Sequence, residues 1–180
     1  GPAPPVIFDV GAGSGCIAIT LALECPSARV AATDTSRDAL DVARRNARAL
    51  GAEHIEFVEA SLFPPGLPPP DLIVSNPPYV PETDRATLPP DVRDFEPAAA
   101  LFAGQDGLDV IRALIPAAAL RLNEGGWLII EIGAGQADAV AALIRENGLA
   151  LQCVRKDLQG IPRIVVATLP TARLPVGRDV

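Results

Sequence analysis

Asn-Pro-Pro-Tyr, residues 76–79, directly follows the apolar stretch DLIVS and contains groups that could perform chemistry. Two consecutive prolines remove two backbone N–H donors and force a stiff, extended exit from the strand, although a simple turn needs neither. An amide side chain, fixed carbonyl groups and an aromatic ring therefore lie in one rigid segment, which favours a ligand-holding role. The alternative is a rigid turn with a packed tyrosine, because Asn-Pro clusters are ordinary turn formers.

Three glycines separate the first apolar run from the first helical segment. In VIFDVGAGSGCIAI, the residues Gly11, Gly13 and Gly15 allow a sharp turn and let a ligand approach without meeting a Cβ. The spacing is G-x-G-x-G, not the G-x-G-x-x-G of dinucleotide folds, so a pyrophosphate ligand is disfavoured. Asp34, roughly twenty residues further on, can accept hydrogen bonds from ribose hydroxyls in such a topology. The alternatives are a purely structural glycine turn and an Asp34 that only caps the next helix.

The elements that must position these residues alternate between short apolar runs and longer segments of helical period. This pattern is typical of βα units and predicts an α/β fold with a mostly parallel sheet. The predicted strands are 6–10, 29–33, 55–59, 72–75, 127–132, 151–156 and 163–168, and the predicted helices are 15–24, 36–51, 107–122 and 136–148. Asn76 then lies at the carboxyl end of the fourth strand, beside the strand with the glycine turn, where open α/β sheets bind ligands. This placement favours a catalytic role over a simple turn.

Composition limits the function classes. The 180 residues are 49% hydrophobic and carry a formal net charge of −7, which indicates one compact domain and disfavours stable nucleic-acid binding. The chain has no run of 18 apolar residues and no signal-peptide pattern, so we expect no membrane contact and a cytoplasmic location. Cys16, Cys25 and Cys153 lack disulfide or zinc spacing and are predicted to be core thiols, with no bound metal. His54 is predicted to lie at the surface.

The sequence predicts a single domain at 6–169 with a short segment on each side. Residues 1–5 are expected to be a processing scar or linker remnant with further sequence upstream, because the chain has no methionine and the first strand begins at once. The stretch 80–106 is too long and too rich in Pro and Asp for an ordinary connection, so we predict a long substrate-side loop. Residues 170–180 have no periodicity and are predicted to be a flexible tail.

Together, DVGAGSG (9–15), TDTS (33–36) and NPPY (76–79) resemble the Rossmann-like class I S-adenosylmethionine-dependent methyltransferases that modify a planar nitrogen. The resemblance implies a seven-stranded sheet with helices on both faces, S-adenosylmethionine as cofactor and S-adenosylhomocysteine as product. An amide nitrogen is a poor nucleophile because its lone pair is delocalised, so its NH2 group must be oriented. The Asn76 side-chain oxygen and the Pro77 carbonyl would accept its two N–H donors, and Tyr79 would form a wall beside it.

Three longer stretches resemble one family, the protein-glutamine N5 methyltransferases that modify peptide chain release factors. They are SNPPYVPETD (75–84), VRDFEPAAALFAGQDGLDVIRALIPAA (92–118) and KDLQGIPRIVVA (156–167). In that family the target is the glutamine of a Gly-Gly-Gln loop, so a release factor is the expected partner and the protein is expected to be a monomer. The alternatives are N6-adenine or N2-guanine methylation of nucleic acid, and a cofactor-binding scaffold without activity. The complete Asn-Pro-Pro-Tyr argues against the scaffold.

The resemblance also implies a role for individual residues. The implied catalytic residues are Asn76, Pro77 and Tyr79, and the implied substrate-binding residues are these three with Pro78 and Glu96. The implied cofactor-binding residues are Asp9, Gly11, Ala12, Gly13, Ser14, Gly15, Asp34, Ser61, Leu62 and Asn76. Ser61 stands where the family often has an acidic residue for the adenine amino group, so we expect modest cofactor affinity unless Glu59 compensates. Glu96 could instead pair with Arg93 or Arg85. Family members also have a helical N-terminal domain, which we expect upstream of residue 6.

Overall fold

The computed structural model describes residues 3–171. Gly1 and Pro2 of the predicted scar, and residues 172–180 of the predicted tail, lie outside the described residues. The strands are β1 (Val6–Val10), β2 (Arg29–Asp34), β3 (Glu56–Glu59), β4 (Leu72–Ser75), β5 (Trp127–Glu131), β6 (Ala150–Lys156) and β7 (Pro162–Thr168). The α-helices are α1 (Cys16–Glu24), α2 (Arg37–Leu50), α3 (Pro90–Phe95), α4 (Ala98–Leu101), α5 (Asp109–Arg121) and α6 (Ala137–Glu146), and a 3-10 helix spans Glu82–Thr87.

The strands form one seven-stranded sheet in the order β3-β2-β1-β4-β5-β7-β6. β1 to β5 are parallel, whereas β7 is antiparallel to both of its neighbours. The chain moves from β1 outward through β2 and β3, then returns to the other side of β1 to form β4. The predicted seven-stranded, mostly parallel sheet is therefore confirmed. The reversal between β1 and β4 is the position at which open α/β sheets bind ligands, outside the carboxyl ends of the strands.

The two faces of the sheet are covered by different helices. Successive side chains of a strand point to opposite faces, and Ile7 and Phe8 of β1 accordingly belong to different apolar clusters. Ile7 packs with residues of α1 and α2, such as Ala18 and Ala47. Phe8 belongs to the larger cluster, which contains buried residues of α5 and α6 such as Ile111. The prediction of helices on both faces is confirmed.

Local signals set the ends of the helices. Ser36 Oγ accepts the Ala39 N–H at 3.2 Å at the start of α2, and Gly51 ends that helix with a φ of 76°. The predicted helices and strands agree with the observed ones to within two residues at each end. The stretch 80–106, predicted as a loop, is the exception. It contains the 3-10 helix, α3 and α4, and Val80 forms a single parallel bridge with Phe102.

The prediction of core thiols is wrong, because Cys16, Cys25 and Cys153 are all exposed. Cys16 is the first residue of α1, Cys25 directly follows that helix, and Cys153 lies on the edge strand β6, where one side of the strand faces away from the core. Apolar neighbours along the chain do not decide which face a residue occupies, since a step of one residue reverses it. His54 is exposed, as predicted. None of the helices within residues 3–171 has the length and apolar character of a membrane span.

Candidate active site

Four neighbouring strand ends bring polar groups to one edge of the sheet. Val10 pairs with Thr33 on one side and Ser75 on the other, and Ser75 in turn pairs with Ile130. The next residues across this edge are therefore Asp34, Gly11, Asn76 and Glu131. The first three are predicted site residues, and parallel pairing puts them together although they are far apart in sequence. Glu131 is an addition that the sequence analysis does not single out.

The glycine turn connects β1 to α1 through three residues with positive φ. The φ values are 74° at Gly11, 55° at Gly13 and 84° at Gly15, a region that side chains strongly disfavour. A Cβ at Gly11 or Gly13 would meet nothing within 4 Å, so the space above these two residues is open. Gly15 is different, because a Cβ there would come within 3.0 Å of Ala43 on α2. The first two glycines thus leave room for a ligand, and the third allows two helices to approach.

Asp34 fixes the glycine turn from the end of β2. Its Oδ2 accepts the Gly13 N–H at 2.8 Å, and its Oδ1 accepts the Ser36 N–H at 2.8 Å. The second bond holds the N-cap residue of α2, whereas the capping role itself belongs to Ser36, and the first bond ties the carboxylate to the turn. Each carboxylate oxygen can accept a further hydrogen bond, and the residue is partly exposed at the sheet edge. Asp34 therefore holds the turn and still offers acceptors to a ligand.

Asp9 lies beneath the glycine turn and is only 1% exposed. Its Oδ2 accepts the Ala18 N–H at 2.9 Å, whereas no group among the described residues bonds to its buried Oδ1. Burial raises the pKa of Asp9 to about 6; the Ala18 hydrogen bond opposes this rise, and the nearby Asp34 charge adds to it. This carboxyl group anchors the start of α1 and leaves one oxygen without a partner.

The segment after β3 completes this side of the edge. The Ala60 N–H donates to the Asp34 carbonyl at 3.0 Å, and the Thr33 hydroxyl donates to the Leu62 carbonyl at 2.9 Å. These bonds hold residues 60–62 against the end of β2. Ser61 between them is exposed, with Leu62 partly buried beside it. The structure therefore brings these two predicted cofactor residues next to Asp34 and the glycine turn.

Asn76 to Tyr79 leave the sheet as a stiff segment beside the glycine turn. The Ser75 hydroxyl donates to the Val10 carbonyl at 2.7 Å and so fixes the last residue of β4 against β1. Asn76 is exposed at this point, Pro77 is buried, and Pro78 and Tyr79 are half-buried. A cleft of about 140 Å³ opens beside Asn76 and extends to Glu131. Asn76 thus presents its amide to open space from a firmly held strand end.

Glu131 contacts the aromatic residue of this segment. The Tyr79 hydroxyl donates to Glu131 Oε1 at 3.3 Å, across from the end of β5. Burial is the main cause that raises the pKa of Tyr79, and the Glu131 charge raises it further. The phenol therefore remains neutral and keeps its proton for this bond. An acidic residue at the end of the apolar run WLIIE was a signal that the sequence analysis did not use.

Gln136, at the start of α6, is the second residue that the sequence analysis does not single out. It is 8% exposed, and its amide nitrogen donates to the Tyr79 carbonyl at 3.0 Å. A cavity of about 370 Å³ lies beside it, between the turn 133–136 and the 3-10 helix. Tyr79, Asp84 and Asp106 also line this cavity. The predicted substrate-side stretch therefore borders the Asn-Pro-Pro-Tyr segment through a defined opening.

Glu96, the last predicted substrate residue, lies apart from these groups. It is exposed just after α3 and does not form the ion pairs considered for it. Arg93 pairs instead with Asp94, and Arg85 pairs with Glu82. The alternative that Glu96 pairs with either arginine is therefore wrong, because each arginine has an acidic residue closer to it in sequence.

The fold is the Rossmann-like fold of the class I methyltransferases. The solved structure of ribosomal protein L11 methylase from Lactobacillus delbrueckii subsp. bulgaricus superposes with a TM-score of 0.70, at 24% identity, over 93% of this chain and 71% of that chain. TrmN from Thermus thermophilus superposes with a TM-score of 0.65, at 24% identity, over 92% of this chain and 44% of that chain. The family described as methyltransferase small domain matches residues 4–88. This range contains the glycine turn and Asn76 to Tyr79.

Sequence relatives are more specific than the fold. A release factor glutamine methyltransferase from Geobacter sulfurreducens is 46% identical over 165 residues, and one from Cereibacter sphaeroides is 47% identical over 167 residues. These matches cover 91% and 92% of this chain but 58% and 60% of the relatives. The chain is similar in sequence to these release factor glutamine methyltransferases and spans about three-fifths of their length. The resemblance found in the motifs is confirmed.

Proposed function

We propose that this chain forms the catalytic part of an enzyme that methylates the glutamine side chain of peptide chain release factors, using S-adenosylmethionine. The observation that carries the proposal is the 46% identity to a release factor glutamine methyltransferase over 91% of the chain. That match includes the stretch 80–106, which base methyltransferases need not have. Because a release factor acts in translation, the proposal also assigns the enzyme to the cytoplasm.

Several features of the glycine turn fit S-adenosylmethionine. Open space above Gly11 and Gly13 admits a ligand to the backbone, and Asp34 has acceptors left for ribose hydroxyls. The unpartnered Oδ1 of Asp9 adds a buried acceptor below the turn. Ser61 and Leu62 would border the adenine ring, and Ala12, Ser14 and Gly15 would line the rest of the cofactor along the turn. When bound, this cofactor supplies a methyl group made electrophilic by its sulfonium sulfur.

The chain's own contribution is to orient the substrate amide. The exposed Asn76 oxygen and the Pro77 carbonyl accept the two N–H donors of the glutamine NH2 group, which directs the nitrogen towards the glycine turn. Pro78 keeps the segment stiff. The Tyr79 ring borders the planar amide, and its hydroxyl is held by Glu131. A neutral amide needs no base before attack, because its surplus proton leaves once the nitrogen is methylated.

Mass spectrometry of a release factor incubated with the protein and S-adenosylmethionine tests this proposal. We expect one added methyl group on the glutamine of the Gly-Gly-Gln loop. A release factor with alanine in place of that glutamine is the matched control and should remain unmodified. DNA and RNA oligonucleotides in parallel reactions test the N6-adenine and N2-guanine alternatives.

Each outcome of that experiment has a definite meaning. Methyl transfer to an oligonucleotide alone would replace the protein substrate with a base. Cofactor binding without any product would contradict the proposal that this chain forms the catalytic part of such an enzyme. Light scattering of the same sample tests the expected monomer, because a dimer would double the measured mass.

A further inference from the structure

Gln136 connects three separate segments of the chain with one side chain. Its Oε1 accepts the Gly133 N–H at 2.8 Å, in the turn that follows β5. Its Nε2 faces three carbonyl groups, those of Tyr79 at 3.0 Å, Asp106 at 3.2 Å and Gly107 at 3.3 Å. The side chain therefore joins the end of Asn-Pro-Pro-Tyr to the end of the stretch 80–106 and to the sheet.

Two glycines make room for this arrangement. A Cβ at Gly107 would come within 2.2 Å of the Tyr79 carbonyl oxygen and 2.8 Å of Gln136 Nε2. A Cβ at Gly133 would come within 2.9 Å of Gln136 Oε1 and 3.2 Å of the Tyr79 ring. Side chains at either glycine would push Gln136 and Tyr79 apart. The backbone is thus shaped around the amide of Gln136 and the ring of Tyr79.

The position of Gln136 is unusual for a residue that only begins a helix. Ser, Thr, Asp and Asn are preferred there because their short side chains accept N–H groups of the first turn. Gln136 precedes α6 without any such side-chain bond, and its amide points away towards the other segments. Both ends of that amide are buried and hydrogen-bonded, as buried polar groups must be to avoid a large desolvation penalty.

We propose that Gln136 is a positioning residue for methyl transfer, which fixes the Tyr79 backbone and thereby the direction of the Asn76–Pro77 acceptors. The inference rests on the proposed function, because Asn76 to Tyr79 are the groups proposed to orient the glutamine amide. Gln136 lies on the substrate side, and its bonds do not include the glycine turn or Asp34. Its loss should therefore affect the rate of the chemical step more than cofactor affinity.

Two variants of Gln136 test this role with a matched control. Gln136→Glu keeps the acceptor for the Gly133 N–H and turns a donor into an acceptor that repels three carbonyl groups. Gln136→Leu removes all of these bonds without adding a charge. Gln152→Glu makes the same chemical change on the exposed edge strand β6, where the amide bonds only to its own hairpin. We expect about a hundredfold loss of kcat in both Gln136 variants, as for a slightly misplaced catalytic group, and an unchanged cofactor Kd.

Tyr79 provides a second measurement that needs no substrate. It is the single tyrosine of the chain, so phenolate absorbance during a pH titration reports on this residue alone. Burial holds the pKa of Tyr79 above its ordinary value. In Gln136→Leu the loosened segment should admit water, so the pKa of Tyr79 should move back towards that ordinary value. The titration keeps its meaning if the release factor proves not to be the substrate.

The outcomes separate this inference from the proposed function. A wild-type protein that does not methylate the release factor contradicts the proposed function, while the Tyr79 titration still tests Gln136. A Gln136→Glu variant with kcat within about threefold of the Gln152→Glu control would overturn the positioning role, since misplacement should cost far more. A parallel loss of cofactor affinity would overturn it too. If both Gln136 variants fail to fold by circular dichroism, Gln136 serves general stability and the inference is wrong.

Discussion

The proposed cofactor side and the proposed substrate side of the sheet edge are built differently. On the cofactor side, Asp9 and Asp34 bond to backbone N–H groups of the glycine turn and of the helices beside it. On the proposed substrate side, the stretch 80–106 consists of short helices with exposed ion pairs that lie within single helices, such as Glu82 with Arg85. Backbone bonds to buried or partly buried carboxylates fix geometry far more firmly than surface pairs do.

This difference indicates which part of the site can vary in sequence between related proteins. The fold is shared with ribosomal protein L11 methylase and with TrmN, although each is only 24% identical to this chain. A rigid cofactor side can serve many substrates, while a stretch attached by few buried contacts can change with the substrate. Asn76 to Tyr79 stand at the boundary, since β4 fixes their start and Gln136 fixes their end.

The largest effect is expected from Asn76→Ala, which removes the proposed side-chain acceptor at the boundary. We expect kcat to fall by about a hundredfold to a thousandfold, as when one oriented polar group is removed from a transition-state site. Cofactor Kd, measured by calorimetry, should change little. Asn147→Ala at the end of α6 is the matched control, because its amide bonds only to the Leu143 carbonyl. An Asn76→Ala enzyme with full kcat would remove Asn76 from the mechanism.

Asp34→Ala should give the next largest effect, and this effect concerns the proposed cofactor side. It removes proposed acceptors for the ribose and releases the Gly13 N–H, so cofactor Kd should rise by about a hundredfold. At saturating cofactor, kcat should stay near that of the wild type. Asp38→Ala, an exposed acidic residue in the first turn of α2, is the control. A loss of kcat without a change in Kd would reverse the assignment of the two sides.

Asp9 gives a pH-dependent prediction for the cofactor side. Because the folded protein holds the Asp9 proton up to a pKa of about 6, whereas the ordinary value is 3.8, the unfolded chain loses that proton first as pH rises. The free energy of unfolding should therefore fall between about pH 4 and pH 6 by on the order of 2 kcal/mol. Asp9→Asn should lack this component. Urea unfolding of both proteins across that range measures the difference, and a constant difference would contradict the buried-carboxyl interpretation.

The smallest effect is expected from Arg85→Ala on the substrate side. Arg85 pairs with Glu82 and lies 3.9 Å above the centre of the Phe102 ring, but its side chain is well exposed. Such contacts contribute at most about 1 kcal/mol, and added salt weakens the ion pair. Urea unfolding should show a loss within that limit. A loss above about 2 kcal/mol would mean that the stretch 80–106 is as firmly built as the cofactor side.

The sequence predicted the features that depend on local pattern and topology. Short apolar runs and the glycine turn located β1, and the segment VSNPPY located the end of β4. Once the sheet was taken to be parallel, Asn76 and Gly11 had to share an edge, as the pairing of Val10 with Ser75 shows. Ser36 could be placed as an N-cap because its bond is made within four residues.

Features that depend on distant contacts could not be predicted from the pattern. From the local sequence, Gln136 indicates only the start of a helix. Its proposed role depends on a contact with Tyr79, which lies 57 positions earlier in the chain. From the local sequence, Glu131 indicates only the end of a buried strand. Its bond to the Tyr79 hydroxyl is visible only in the structure. The cysteines lie among apolar residues in sequence but on the outer side of their elements. In each case the tertiary arrangement, not the local sequence, decides which way the side chain faces.

The position of β7 has a consequence for the order of folding during synthesis. β7 lies between β5 and β6, so β6 leaves the ribosome before the strand with which it pairs. Until residue 168 emerges, β5 has an open hydrogen-bonding edge and β6 has no partner in the sheet. Unpaired strands of this kind invite association with other chains. Nascent chains stalled before β7 should therefore depend on chaperones more than chains stalled after it.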